Sequence, residues 1–471
     1  MPKAYVQGFT TQPKEIDLPN LPIIGTLPTW LNGTLVRNGP GQFEVGNQTY
    51  RHWFDGLAML HSFSFQDGQV RYRNRYLRSN AYHKDNATGK VNFQGFAVDP
   101  CRSLFSRVMS MFWQPEDGNN TVVNVTQLAQ HYIAMTETPM AVEFDPRTLE
   151  TLGVMPYQDN FDSQIATAHP HYDYERRVGL NHSTKFGATT FYQLYAMTEK
   201  ERRIIASIPV KQTSYIHSFG TTEKYLVLAE FSLRLPNALS LAMRNKPFIE
   251  NFQWQPETDS NFYVVDKDSG NVVAQIAADA FFAFHHINAY EDGANIIVDI
   301  SAYADAALIG HLYLDALHDP VGGHPVIGEF RRYTLPLKGG RATYERITTE
   351  TIELPRINYK QHNGRDYQYV YGGSVKHGTQ DFLNQLVKVD VKNRTAVCWY
   401  ESGCYPGEPV FVPAPNAQAE DEGVILSVVL DSRQNTSFML VLDAATFTEL
   451  ARAAVPQHVP FGFHGQFFSG V

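Results

Sequence analysis

Cysteine is scarce: three residues in 471, Cys101, Cys398 and Cys404, cannot build a disulfide framework. None stands at zinc-ligand spacing from another, and so sparse a set suits a reducing compartment. Cationic runs are missing too. Lys and Arg number 39 against 48 Asp and Glu, a formal charge of −9, and the basic residues are scattered, which excludes nucleic acid as the expected partner. No run of about 18 apolar residues occurs, so no membrane-spanning helix is expected. The opening M-P-K-A-Y-V-Q-G-F-T-T-Q-P-K-E lacks the apolar stretch of a secretory signal, and the expected location is cytoplasmic. Linkers and low-complexity tracts are also absent, which argues against disorder and against division into domains.

What is present is a β pattern. At 43% hydrophobic and 18% charged the chain can bury a large core. Its length allows two or three ordinary domains or one large all-β domain. Short β-branched or aromatic runs closed by Asp, Asn or Gly recur at 225–231, 295–303, 367–375, 386–391 and 423–431. A degenerate repeat sharpens the reading: V-E-F-D, Y-V-V-D, V-K-V-D and L-V-L-D end strands at Asp145, Asp266, Asp390 and Asp443. Aspartate starts a turn by accepting backbone N–H groups two residues on. The spacings of 121, 124 and 53 residues are near multiples of a unit somewhat above the roughly 50 residues of the larger propeller repeats. One all-β domain, 1–471, built as a β-propeller is the expectation.

Two stretches break the pattern. Residues 100–113, P-C-R-S-L-F-S-R-V-M-S-M-F-W, place Leu104, Val108 and Phe112 on one helical stripe, with Phe105 and Met109 beside it and Arg102 and Arg107 flanking. Residues 231–254 are again apolar with scattered cations. Such stripes suit a membrane interface or the protein's own body.

Seventeen histidines carry little information singly. Four sit in apolar, β-like surroundings: His169 in I-A-T-A-H-P-H-Y-D, His217 in S-Y-I-H-S-F-G, His285 in F-A-F-H-H-I-N-A-Y-E-D and His464 in V-P-F-G-F-H-G-Q-F. They lie 48, 68 and 179 residues apart, so only the fold could bring them together, and spacing alone establishes no metal site.

In these and further motifs the chain resembles the carotenoid cleavage oxygenase family. The likeness runs from G-T-L-V-R-N-G-P-G at 33–41 and H-W-F-D-G-L-A-M-L-H-S-F at 52–63, through the histidine motifs, to P-G-E-P-V-F-V-P-A-P at 406–415 and E-D-E-G-V-I-L-S-V-V-L-D at 420–431. The resemblance implies a seven-bladed β-propeller with a cap of loops and short helices over the metal face. It implies one Fe(2+) held by His169, His217, His285 and His464, with Glu137, Glu353 and Glu408 behind the ligands. His171 and His286 are then structural. Imidazole suits Fe(II), and carboxylates that accept the remote imidazole N–H fix tautomer and ring direction. Ligand softness alone would equally permit zinc or copper.

Residues 97–112 resemble a membrane-facing segment of the β-carotene oxygenases and the retinoid isomerohydrolase. That places Leu104, Phe105, Val108 and Phe112 at the tunnel entrance and predicts peripheral contact with a membrane surface. The expected partner is a lipophilic polyene, with dioxygen as co-substrate, cleaved to two carbonyl products. A stilbene-cleaving enzyme would need a phenol anchor, and Phe93 and the Gln130–His131 pair offer none. A retinoid isomerase would keep the iron and hydrolyse an ester; a non-catalytic binding propeller would need no metal. The oligomeric state stays open. Replacing Leu104, Phe105, Val108 and Phe112 with Ser is expected to reduce vesicle flotation and turnover of membrane-dissolved carotenoid. Detergent-presented carotenoid should be affected less.

Overall fold

The computed structural model describes residues 3–93, 95–98, 119–236, 246–321 and 326–471. Antiparallel strands dominate, and the described α-helices are four short ones, Asn80–Thr88, Ala307–His311, Leu314–His318 and Tyr359–His362. The stripe at Leu104, Phe105, Val108 and Phe112 lies outside the described residues, as does Cys101.

Among the described residues the strands form nine sheets, of which seven have four strands or more. Inner strands of successive sheets lie side by side: Gly220–Thr221 against Phe282–Asp292, Phe282–Asp292 against Glu353–Arg356, and Val410–Pro413 against Gly465–Phe468. Both ends of the chain are tied in. Gly465–Phe468 pairs with Gly33–Gln42, and Ile23–Gly25 pairs with Glu449–Val455. Each pairing covers an edge that would otherwise expose unpaired backbone groups.

The four aspartate turns form as expected. Asp145 Oδ1 accepts the Arg147 and Thr148 N–H groups at 2.8 and 2.9 Å, and Asp266 Oδ1 accepts Ser269 N–H at 2.8 Å. Asp390 Oδ1 accepts Asn393 N–H at 2.9 Å, and Asp443 Oδ1 accepts Thr446 N–H at 2.7 Å. Four residues after each aspartate the backbone turns left-handed: φ is 58° at Leu149, 72° at Gly270, 57° at Arg394 and 60° at Phe447. Only Gly270 adopts that conformation freely; an L side chain loses about 1 kcal/mol there. Leu149 and Phe447 offset the cost by burying their side chains in the core.

The stretch 231–254 packs on the body of the protein wherever it is described. Phe231, Leu233, Leu235, Ile249 and Phe252 are buried, and the Phe231 ring meets Phe281 and Phe282 at 5.1 and 5.7 Å. No helix of the described residues is long and apolar enough to cross a membrane. The two described cysteines, Cys398 and Cys404, are free.

The turns yield a test of local stability. Asp266 is half-buried at its turn and bonds Ser269 through both N–H and hydroxyl. Asp266→Ala should therefore lower unfolding free energy by about 1 kcal/mol, read as a drop in the urea midpoint at unchanged slope.

Candidate metal centre

The seven shell residues singled out in the sequence come one from each of the seven larger sheets, or from the turn leading into it. Local chemistry aims each one. In the strand Phe282–Asp292 the register shifts so that Phe284 and His285 together stand opposite Ser301. A bulge of this kind turns one side chain off the alternating pattern, and here it is His285. His464 immediately precedes Gly465, where a Cβ would lie 2.5 Å from the Val36 carbonyl oxygen. Glycine thus lets the chain press against Gly33–Gln42 and bring the histidine inward. Thr167 joins the two remaining histidines: its hydroxyl accepts His169 N–H at 3.0 Å and donates to the His217 carbonyl.

The four rings converge. One nitrogen from each of His169, His217, His285 and His464 lies within 4.8 Å of the others, a group that could hold a metal ion. The Nε2 atoms of His169 and His217 are 2.9 Å apart, and those of His285 and His464 are 3.2 Å apart. No carboxylate belongs to this inner group. The Nδ1 atoms point outward: His217 to Glu137 Oε1 at 2.6 Å, His285 to Glu353 Oε2 at 2.5 Å, His464 to Glu408 Oε1 at 2.8 Å. An ionised glutamate only accepts, so Nδ1 carries the hydrogen and Nε2 presents its lone pair inward. The donor set fits a divalent cation that takes imidazole. His171 sits between the Tyr359 hydroxyl and the Phe219 carbonyl, and His286 Nδ1 meets the Ser218 hydroxyl. Neither belongs to the inner group.

Two cavities flank the rings. One is walled by Trp53, Phe54, Phe284, Phe463, Leu308 and Leu354 and reaches His217, His285 and His464. Phe284 stands 5.0 Å from the His217 ring, and Phe54 stacks on it at 6.3 Å. The other cavity is polar, bordered by His169, Asn124, Arg356, Tyr359 and Glu408. The aromatic wall left one trace in the sequence: Phe284 and Phe463 each immediately precede one of the four histidines. Phe93 packs near Val45 and Tyr50 instead, and His131 pairs with Glu143 at 2.7 Å; neither borders the apolar cavity.

Burial disfavours the protonated form of three of the rings. It pushes His169 and His217 below the ordinary imidazole value, neighbouring histidines adding to the effect at His169 and Glu137 opposing it at His217. His464 is brought down to about 4 by burial, against the pull of Glu408. A proton and a cation compete for the same Nε2 lone pair. A ligand held below its ordinary pKa keeps that lone pair free until the pH falls to the lowered value. The loss of Co(II) affinity between pH 7 and pH 5 should hence be smaller than four ordinary imidazoles would give, and should steepen near pH 4. Ordinary imidazole ligands would lose roughly tenfold per unit per ligand below about pH 6.5. Co(II) titration across that range measures the difference.

Similarity to known proteins extends along nearly the whole chain. The profile of the retinal pigment epithelial membrane protein family, RPE65, matches residues 9–469. The chain is 35% identical to the beta,beta-carotene 15,15'-dioxygenase of Gallus gallus, covering 94% of each. It is 34% identical to the mitochondrial carotenoid-cleaving dioxygenase of Mustela putorius furo, covering 94% of this chain and 92% of that one. Cobalt-substituted apocarotenoid oxygenase from Synechocystis superposes with a TM-score of 0.85 at 25% identity, over 99% of this chain and 98% of the other. An apocarotenoid oxygenase/RPE65 chimera gives 0.86 at the same identity and coverage. With a profile that spans nearly every residue and relatives a third identical along almost their whole length, the chain belongs to the RPE65 family, the carotenoid oxygenases.

Proposed function

We propose that this chain is an iron(II) dioxygenase that cleaves a conjugated double bond of a carotenoid or apocarotenoid into two carbonyl products. The observation that carries the reading is four converging imidazoles, three of which border a cavity walled by aromatic and aliphatic side chains. His169, His217, His285 and His464 would hold the ion, with Glu137, Glu353 and Glu408 orienting three of them. Bound iron(II) would supply an electron-rich site for dioxygen. The chain's own residues do the rest. Phe54, Phe284 and Phe463 line the polyene's path, exclude water and hold the reacting carbons beside the imidazole cluster. The glutamates keep a hydrogen on Nδ1 and the lone pair on Nε2. One C=C bond breaks, two C=O bonds form, and both oxygen atoms of dioxygen end in product, so no side chain has to transfer a proton.

The seven larger sheets, each giving one shell residue, support a reading as seven blades of one propeller domain around that axis. Leu308 and Leu312, from the short helical segment near Ala307–His311, support a cap on the apolar side. A polyene partner dissolved in lipid is consistent with peripheral membrane contact through Leu104, Phe105, Val108 and Phe112, on an otherwise cytoplasmic protein. A stilbene substrate is disfavoured because no lysine borders the apolar cavity among the described residues.

Iron-loaded protein given a panel of carotenoids, apocarotenals, stilbenes and retinyl esters decides the matter. The expected outcome is two aldehydes per polyene and one dioxygen consumed per cleavage, with the products identified by mass and His217→Ala inactive. Ester hydrolysis without oxygen uptake would assign the isomerase chemistry instead.

A further inference from the structure

Behind the glutamates stands another set of buried donors. Glu353 gives Oε2 to the His285 ring and the Leu354 amide, while Oε1 accepts from the Tyr303 hydroxyl at 2.6 Å and the Ser301 hydroxyl at 3.1 Å. The single Ser301 hydroxyl hydrogen is shared with the Ile352 carbonyl at 2.5 Å, and Ser301 and Tyr303 share the strand Asn295–Tyr303, paired with the strand of His285. Glu408 is built alike from different parts. Oε1 meets the His464 ring, and Oε2 accepts from the Arg37 guanidinium and from Gly465 N–H at 3.0 Å. The same guanidinium donates to the Phe463 carbonyl at 2.9 Å, so it grips both the carboxylate and the backbone beside His464. At Glu137 the pattern differs, for Tyr215 and His217 both meet Oε1 at 2.6 Å.

We propose that Tyr303 and Arg37 are positioning residues for the metal centre, pinning the outer oxygens of Glu353 and Glu408 so that His285 and His464 keep a fixed aim. This rests on the metal-binding reading of the four histidines. A carboxylate bonded through one oxygen swings about its terminal torsion, which is broad and shallow, and the imidazole it holds swings with it. Bonding the other oxygen to a rigid strand removes that freedom. Tyr303 also borders the apolar cavity, so turnover alone would mix its effect on the metal with one on the substrate.

The experiment therefore reads the metal alone. Co(II) affinity and the visible absorption of bound Co(II) are measured for the native chain, Tyr303→Phe, Ser301→Ala, Arg37→Lys and Tyr367→Phe. Tyr367 donates to Asp299 at 2.6 Å and is as buried as Tyr303, yet touches none of the three glutamates, so its loss reports structural weakening only. Tyr303→Phe should weaken Co(II) binding about tenfold and shift the absorption bands, by analogy with loss of an outer hydrogen bond at other metal sites. Ser301→Ala and Arg37→Lys should move in the same direction. Tyr367→Phe should lower thermal stability while leaving affinity and spectrum unchanged. Native affinity and spectrum in Tyr303→Phe and Ser301→Ala would overturn the proposal, whatever Arg37→Lys does to folding. Failure of the native chain to bind Co(II) would instead overturn the metal-binding reading.

Discussion

Three imidazoles each meet a glutamate through Nδ1, at 2.5 to 2.8 Å, and most of what surrounds the site follows from those contacts. A carboxylate taken out of water without partners would cost several kcal/mol and would take up a proton. Glu408 stays ionised because Arg37 and Arg356 lie beside it: burial alone would raise it, and the cations hold it well below the usual carboxylate range. Glu353 is brought down by the facing His285 and the Tyr303 hydroxyl, again against burial. The negative charge they keep stands one imidazole ring away from the place where a cation would sit. Four neutral ligands alone would leave a double positive charge uncompensated in the interior.

The two flanking cavities divide the work by polarity. Aromatic and aliphatic walls on one side offer nothing that could hydrogen-bond a substrate along most of its length, which suits a polyene. On the other side His169, the one half-buried member of the four, borders the polar cavity with Asn124, Arg356 and Tyr359. No carboxylate meets its ring among the described residues. The ligand without a glutamate is thus the one that borders the polar cavity alone; His285 and His464 border both cavities, and His217 the apolar one.

The aspartate turns were legible because their cause is local: one carboxylate bonds N–H groups two and three residues on. The bulge at Phe284–His285 was not, because it depends on which residue of a neighbouring strand lies opposite. Residues 231–254 show the same limit. Apolar character with scattered cations left two readings open, and the rings of Phe281 and Phe282, remote in sequence from part of that stretch, decided for packing where it is described.

By itself the sequence determined the all-β class, the turns and, through motifs in family order, the four histidines and three glutamates. The class and the turns are properties of residue type and near neighbours, whereas the histidines and glutamates were legible only through the family resemblance. Tertiary structure alone decided that Glu137 serves His217, which is 80 residues away, while Glu353 serves His285 and Glu408 serves His464. It alone placed Arg37 and Tyr303 behind two of those glutamates and Phe54 against the His217 ring. Those pairings join separate sheets across long stretches of chain, and a hydrogen bond between distant residues has no trace in spacing until the backbone has closed around it.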